Sequence, residues 1–243
     1  MNKKVAIISG GSRGLGQAIA IGLAQDGYQV VISYAQSAEK AQSIVNMITE
    51  FGGTALAIKA DVSIENDVSH LFSKTKAEFG QIDVVINTAA ISVLKPLSEF
   101  SLVDFNRVIS INLTGTFHIL KQAAAHISKG GRILTFSSNV VTSLPPTYAA
   151  YAASKAAVEA LSKTFSKELR GRGVTVNIVS PGPTATDMFL EGKSEELVNQ
   201  FAQASPLERL GTPEDIVRVV RFLVGPDAAW INGQVIKVNG GAN

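Results

Sequence analysis

Cysteine is absent from the 243-residue chain, which removes disulfide frameworks, thiolate nucleophiles and zinc sites of the thiolate kind. Histidine is scarce: His70, His118 and His126 stand singly, and His118, within a helical stretch, is expected to be packed or at the surface rather than a ligand. No metal is expected. Charge is thin too, at 17% of residues, and 22 basic against 20 acidic side chains leave a net charge of +2, no footprint for nucleic acid or a membrane surface. No apolar run approaches the roughly 18 residues a membrane helix needs, and the first, Val5-Ala6-Ile7-Ile8, is too short for a signal-peptide core. Linkers, repeats and low-complexity tracts are missing as well. The expectation is a soluble, cytoplasmic protein with a single domain over residues 1–243.

What is present is a regular alternation. Short β-branched runs at Val5–Ile8, Val30–Ser33, Ala55–Lys59, Val84–Asn87, Arg132–Phe136, Val174–Val179 and Val235–Val238 are separated by amphipathic stretches. These cover Gln17–Asp26, Ala38–Phe51, Ile64–Phe79, Leu102–Ile127 and Ala153–Arg170, and a last helix opens with the cap signal Thr212-Pro213-Glu214-Asp215. Strand and helix repeated in this way predict an α/β fold: one doubly wound, Rossmann-type domain whose seven-stranded parallel sheet has helices on both faces. The irregular stretch 182–192 predicts a binding loop that opens a substrate lid around residues 184–205.

The first strand runs through Ser9-Gly10-Gly11-Ser12-Arg13-Gly14-Leu15-Gly16 into a helix. Glycines there let the backbone take positive φ and approach a pyrophosphate, while the helix N-terminus offers free N–H groups. The spacing Gly-x-x-x-Gly-x-Gly is not the literal Gly-x-Gly-x-x-Gly fingerprint, and in isolation a plain glycine turn reads as well. Its place between strand and helix favours the phosphate site. After the second strand an NAD site puts an acid for the ribose 2′-hydroxyl. Here the segment is Ser33-Tyr34-Ala35-Gln36-Ser37, without one. Arg13 can instead meet a 2′-phosphate, aided by the hydroxyls of Ser12 and Ser37, so NADP(H) is the expected cofactor; the bland reading of Arg13 is a solvated loop residue.

Tyr151 and Lys155 stand one helical turn apart, with Ser138 just past the run Arg132–Phe136. A nearby cation favours a phenolate, so Lys155 is expected to lower the Tyr151 pKa towards the range where it trades a proton, and Ser138 to donate to an oxyanion. Four tyrosines yield roughly 0.2 Tyr-x-x-x-Lys pairs by chance, so the pair gains meaning only from its companions. Ser137 and Asn139 have the opposite strand parity, and Tyr148 lacks a lysine four residues on, so all three read as structural.

Together these residues resemble the short-chain dehydrogenase/reductase family over almost the whole chain. The resemblance assigns Gly10, Gly14 and Gly16 to the cofactor loop, Asp61-Val62 to the adenine, and Asn87-Thr88-Ala89-Ala90 to the family's Asn-Asn-Ala-Gly turn with two changes. It makes Asn112, Ser138, Tyr151 and Lys155 the catalytic set, Asn112 holding a water chain against the lysine and Lys155 also bonding the nicotinamide ribose. Pro181-Gly182-Pro183-Thr184-Ala185-Thr186 would border the nicotinamide, with Thr186 on its carboxamide.

The implied activity is reduction of a ketone or aldehyde by NADPH, with Tyr151 as the acid. A 3-oxoacyl-carrier-protein or other 3-oxoacyl-thioester reductase is the second reading, with Lys129 and Arg172 near the site mouth to receive an acidic acyl carrier protein. A non-catalytic dinucleotide sensor is the third. Leu144-Pro145-Pro146-Thr147-Tyr148 and Met188-Phe189-Leu190 suggest an apolar pocket, and Ser194–Leu210 is similar to family members described as NADPH-dependent aldehyde reductases. The apolar strand that ends the chain wants its edge covered, and the family resemblance points to a homotetramer.

Overall fold

The computed structural model describes residues 3–242. In chain order, strand β1 (Val5–Ser9) leads to α1 (Gly14–Gln25), β2 (Gln29–Tyr34), α2 (Ala38–Glu50), β3 (Thr54–Lys59), α3 (Glu65–Phe79) and β4 (Val84–Asn87). There follow α4 (Leu102–Ile109), a π-helical segment Ser110–Thr114, α5 (Gly115–His126), β5 (Arg132–Phe136), the short α6 (Val140–Ser143), α7 (Ala149–Glu168) and β6 (Thr175–Pro181). The short α8 (Asp187–Leu190), α9 (Glu195–Gln203), α10 (Pro213–Val224) and β7 (Val235–Val238) follow, and a single 3-10 turn, Leu97–Glu99, lies between β4 and α4.

The seven strands form one parallel sheet in the order β3-β2-β1-β4-β5-β6-β7. Alternate side chains leave opposite faces of a strand, and both faces here are covered, so the central strands read as unbroken apolar runs. On one face Ile8, Val30 and Ile32 pack against Ile19 and Leu23 of α1, Ile44 and Ile48 of α2, and Val217 and Val220 of α10. On the other, Ile7, Val31, Val85 and Ile133 meet Leu71 and Phe72 of α3, Ile119 of α5 and Phe165 of α7. The strand order reverses between β1 and β4, and in open α/β sheets the crevice at the C-terminal ends of the strands beside that reversal takes the ligand.

All seven expected strands form, with ends shifted by a residue or two. The expected single helix over Leu102–Ile127 is instead widened by the π segment at Ser110–Thr114, and α7 begins at Ala149, ahead of the expected Ala153. The Thr212 cap is a full capping box, its hydroxyl accepting from the Asp215 N–H at 3.3 Å while the Asp215 carboxylate accepts from the Thr212 N–H at 2.8 Å. Within the stretch expected to be irregular, Thr184 bridges to Gly211 and α8 forms a single turn.

Candidate active site

The glycine turn is built for backbone crowding. Gly10 and Gly14 lie at φ +71° and +53°, in the left-handed region. A Cβ on Gly10 would sit 2.9 Å from Ala89, and one on Gly16 would overlap the Gly10 carbonyl and lie 2.7 Å from Thr88 Oγ1. That hydroxyl donates to the Ser9 carbonyl at 2.7 Å, which accounts for threonine at position 88. Arg13 is the N-cap of α1, extended and exposed, and no side chain caps the helix, so its first-turn N–H groups face the turn. Ser12 and Leu15 are half-buried on either side of it.

The neighbouring strand ends complete this rim. Tyr34 ends β2, and Ser37 is the N-cap of α2, again without a side-chain cap. Lys59, which the sequence reading passed over, ends β3 directly beside Tyr34 in the ladder and is exposed. It shares the parity of Ala55 and Ala57, hence the face of the sheet on which α1 and α2 begin. Register is the signal that finds it. Asp61 accepts from the Ser63 N–H at 2.9 Å and the Ser63 hydroxyl at 2.7 Å, which fixes the turn after β3. The Val62 carbonyl lies 2.9 Å from His118 Nδ1, so that histidine is packed, as expected.

Across the crevice, Thr184 is buried and its hydroxyl donates to the Gly182 carbonyl at 2.9 Å. Thr186 Cβ lies 3.9 Å from where a Cβ on Gly14 would be, so the segment after β6 faces the glycine turn. Beyond it, α9 has no buried residue and is held by Phe201 standing edge-on to Phe189, ring centres 5.2 Å apart.

Past the end of β5 and in the first turn of α7, the Ser138 hydroxyl is close enough to the Tyr151 phenol to draw its pKa down. Lys155, 4% exposed, donates from Nζ to the Phe136 carbonyl at 2.8 Å. The ammonium is 5.7 Å from the centre of the Tyr151 ring. Burial pushes Tyr151 up to about 12, against the smaller downward pull of the Ser138 hydroxyl, and pushes Lys155 down to about 8. The expected lowering of the phenol by the lysine is therefore corrected: desolvation is the largest influence on each group, and the lysine charge is not among the influences on the phenol.

Asn112 sits in the π segment, fully buried. Its Oδ1 accepts from the Ile91 N–H at 2.9 Å, and its Nδ2 donates to the Ile91 carbonyl at 2.9 Å and to Ser154 Oγ at 3.0 Å. The side chain is thus tied to the loop after β4 and to α7. A buried relay runs from Ser9 to Asn87, from Asn87 Nδ2 to Thr116 Oγ1 at 2.8 Å, from Thr116 to the Asn112 carbonyl at 2.6 Å, and from Ser154 to the Tyr151 carbonyl at 2.7 Å. Each donor faces one way along it, so the end of β1 before the glycine turn and helix α7 share one hydrogen-bonded network.

Ser137 and Asn139 do point away from the site, Ser137 donating to Glu159 at 2.6 Å and Asn139 to the Ala242 carbonyl at 2.7 Å. Tyr148 has more to do than its structural reading allowed: it stands edge-on to Tyr151, ring centres 6.4 Å apart, and lines an apolar cavity of about 530 Å³ with Leu97, Val141, Leu144 and Pro145. Ser138 and Tyr151 do not line that cavity, which abuts the Ser138–Tyr151 pair rather than containing it. Lys129 and Arg172 lie on the connections entering β5 and β6, at the sheet edge opposite Ser138, and Arg172 donates to the Ile127 carbonyl at 2.8 Å. Within one chain they are not at the mouth of the site.

Among the described residues, no group of three metal-ligating side chains is gathered, and no helix is long and apolar enough to cross a membrane.

The family described as enoyl-(acyl carrier protein) reductase matches residues 10–243. The chain is 41% identical to an NADPH-dependent aldehyde reductase-like chloroplastic protein of Arabidopsis thaliana, over 98% of this chain and 93% of that one. It is 40% identical to a short-chain type dehydrogenase/reductase of Picea abies, over 98% and 92%. Among solved structures, a short-chain dehydrogenase of Burkholderia cenocepacia in complex with NADP superposes with a TM-score of 0.94 at 36% identity, covering 100% of this chain and 98% of the other. With that fold, that glycine turn and these relatives, the chain belongs to the short-chain dehydrogenase/reductase family and is an oxidoreductase.

Proposed function

We propose that this protein is an NADPH-dependent carbonyl reductase that converts a ketone or aldehyde to an alcohol, with Tyr151 as the acid. The grouping of the Ser138 hydroxyl, the Tyr151 phenol and the buried Lys155 ammonium, which lies 5.7 Å from the phenol ring centre, carries this reading. The rim fits a phosphorylated dinucleotide: at Gly14, in the left-handed region, the nearest atom to a Cβ would be Thr186 at 3.9 Å, the α1 N-terminus is uncapped, and β2 is followed by no acid. Arg13, with Ser12, Ser37 and Lys59, would hold a 2′-phosphate. Tyr34, Asp61, Val62, Asn87 and Ala89 would border the adenosine half, and Pro181, Gly182, Thr184 and Thr186 the nicotinamide half. The relatives named for NADPH and the NADP-bound neighbour support the same cofactor.

When bound, NADPH supplies the hydride. Ser138 would hold the carbonyl oxygen by a hydrogen bond that strengthens as charge develops there, a donor whose loss typically costs about 10²–10³ in rate. Tyr151, kept protonated by a pKa near 12, has its proton in place for that oxygen at neutral pH. Lys155, titrating near 8, would stabilise the phenolate left behind. Asn112 would hold the loop after β4 against α7. Residues 184–205 would close over the substrate as a lid.

A 3-oxoacyl-thioester substrate is the second reading, supported by the apolar cavity beside Tyr148. The test is purified protein with NADPH and a panel of aldehydes, ketones, 3-oxoacyl thioesters and enoyl thioesters, followed at the nicotinamide absorbance. Turnover of simple carbonyls above thioesters is expected, and Tyr151→Phe should lose about 10²–10⁴ in kcat with NADPH affinity near wild type. Tight NADPH binding without turnover of any carbonyl would sink the enzyme reading in favour of a sensor. We also propose a homotetramer, since β7 is an edge strand and Phe222 and Trp230 are exposed nearby in sequence; a monomer by light scattering refutes it.

A further inference from the structure

Asn139 follows Ser138 and points to the other side of the backbone, where it enters a turn formed by Asn239–Ala242. Its Nδ2 donates to the Ala242 carbonyl at 2.7 Å, and its Oδ1 accepts from Asn239 Nδ2 at 2.9 Å. Asn239 Nδ2 also donates to the Ala242 carbonyl at 2.8 Å, and its Oδ1 accepts from the Gly241 N–H at 3.1 Å. The turn needs its glycines, with Gly240 and Gly241 at φ +61° and +82°. The Asn139 backbone is fixed as well: its N–H donates to the Pro181 carbonyl at 2.9 Å, and its carbonyl accepts from the Thr142 N–H at 2.9 Å.

The same turn reaches two other walls of the crevice. Gly182 lies so close under it that a Cβ there would be 2.7 Å from Asn239 Cα, and the Gly182 N–H donates to the Val238 carbonyl at 3.0 Å. At the foot of α9, the buried Ser205 hydroxyl donates to the Gly240 carbonyl at 2.9 Å and accepts from the Leu207 N–H at 3.2 Å. Three segments distant in sequence therefore meet in one hydrogen-bonded hub: the residue after Ser138, the Pro181–Thr186 border, and the base of the proposed lid.

We propose that Asn139 is a positioning residue for Ser138, and that the Asn239–Ala242 turn couples the Ser138 hydroxyl to the foot of the lid. The inference rests on the carbonyl-reductase reading. A buried carboxamide bonded through both its nitrogen and its oxygen fixes one geometry, and a donor displaced by about 1 Å can cost about 10² in rate. Removing the Asn139 side chain keeps the Ser138 hydroxyl and the Asn139 backbone bonds but unties this end of β5 from the Asn239–Ala242 turn, which relaxes the position of Ser138.

The experiment compares Asn139→Ala and Asn239→Ala with wild type, after thermal melts confirm folding; Asn239 is half-buried and removes the same pairing if Asn139→Ala does not fold. Each should lower kcat about 10- to 100-fold, with KM within about threefold and the NADPH Kd within about twofold. In a Ser138→Ala background, Asn139→Ala should cost less than about twofold more, since the effect runs through that hydroxyl. Wild-type kcat in a folded variant, or an undiminished further loss in the Ser138→Ala background, overturns the positioning role. Hydrogen exchange gives an arm independent of turnover: in Asn239→Ala, uptake should rise together in 136–144 and 203–208, and a rise confined to one segment refutes the coupling. If wild type reduces no carbonyl, the reductase reading fails while the exchange result still decides the hub.

Discussion

Replacing Lys155 by methionine should make the ligand-free protein more stable while abolishing its activity. The ammonium is 4% exposed, and burial lowers its pKa from 10.5 to about 8. A drop of that size corresponds to roughly 3 kcal/mol of cost for holding the charge in the folded protein at pH 7. Methionine keeps most of the packed stem and removes the charge. It also forfeits the hydrogen bond to the Phe136 carbonyl, worth ~1 kcal/mol net. The balance is a gain of about 1–2 kcal/mol, or roughly 2–8 °C in Tm for a chain of this length.

The pH dependence follows from which state holds the proton. Unfolded chains keep the lysine protonated up to about 10.5, whereas the folded protein releases the proton near 8. Between these values the unfolded state binds more protons, so wild-type stability rises with pH, and below 8 the cost is at its full value. Tyr151, raised to about 12, bends the curve the other way only above pH 10, where the folded state keeps a proton the unfolded chain loses. Thermal and urea unfolding followed by circular dichroism at pH 7 and 9.5, without nucleotide, reads both quantities. A Lys155→Met variant less stable than wild type at pH 7, or one retaining the rise between pH 8 and 10, refutes the burial argument.

Arg13→Ala should raise the NADPH Kd about tenfold and leave NADH binding unchanged, and Lys59→Gln should act in the same direction with a smaller effect; calorimetric titration of both nucleotides checks this, and equal changes for NADPH and NADH would reject the phosphate role. Gly16→Ala should destabilise the protein by about 1–3 kcal/mol and weaken nucleotide binding, because the new methyl meets the Gly10 carbonyl and Thr88; an unchanged melting curve would contradict that crowding.

The strands were legible because a strand covered on both faces must be apolar throughout, and Val5–Ser9 leaves no other reading. The glycine turn was legible from its place between strand and helix. The π segment was not, since the apolar period of Leu102–Ile127 passes through it unchanged and what accompanies it is tertiary, the bonding of Asn112 to Ile91 and Ser154. Spacing placed Tyr151 and Lys155 together but carried no information about solvent, which decides the sign of both pKa shifts. Lys129 and Arg172 required the strand direction to be assigned to the far edge. The cavity beside Tyr148 depends on Leu144 and Thr147 at φ 44° and 72°, left-handed conformations that neither residue type announces.

Trp230, the single tryptophan of the chain, is 98% exposed and lies on the connection entering β7, at the sheet edge away from Ser138. The protein therefore carries its own optical reporter of surface contact. A fully solvated indole emits at long wavelength and is open to iodide quenching. A blue shift with loss of quenching marks the covering of that edge by another surface.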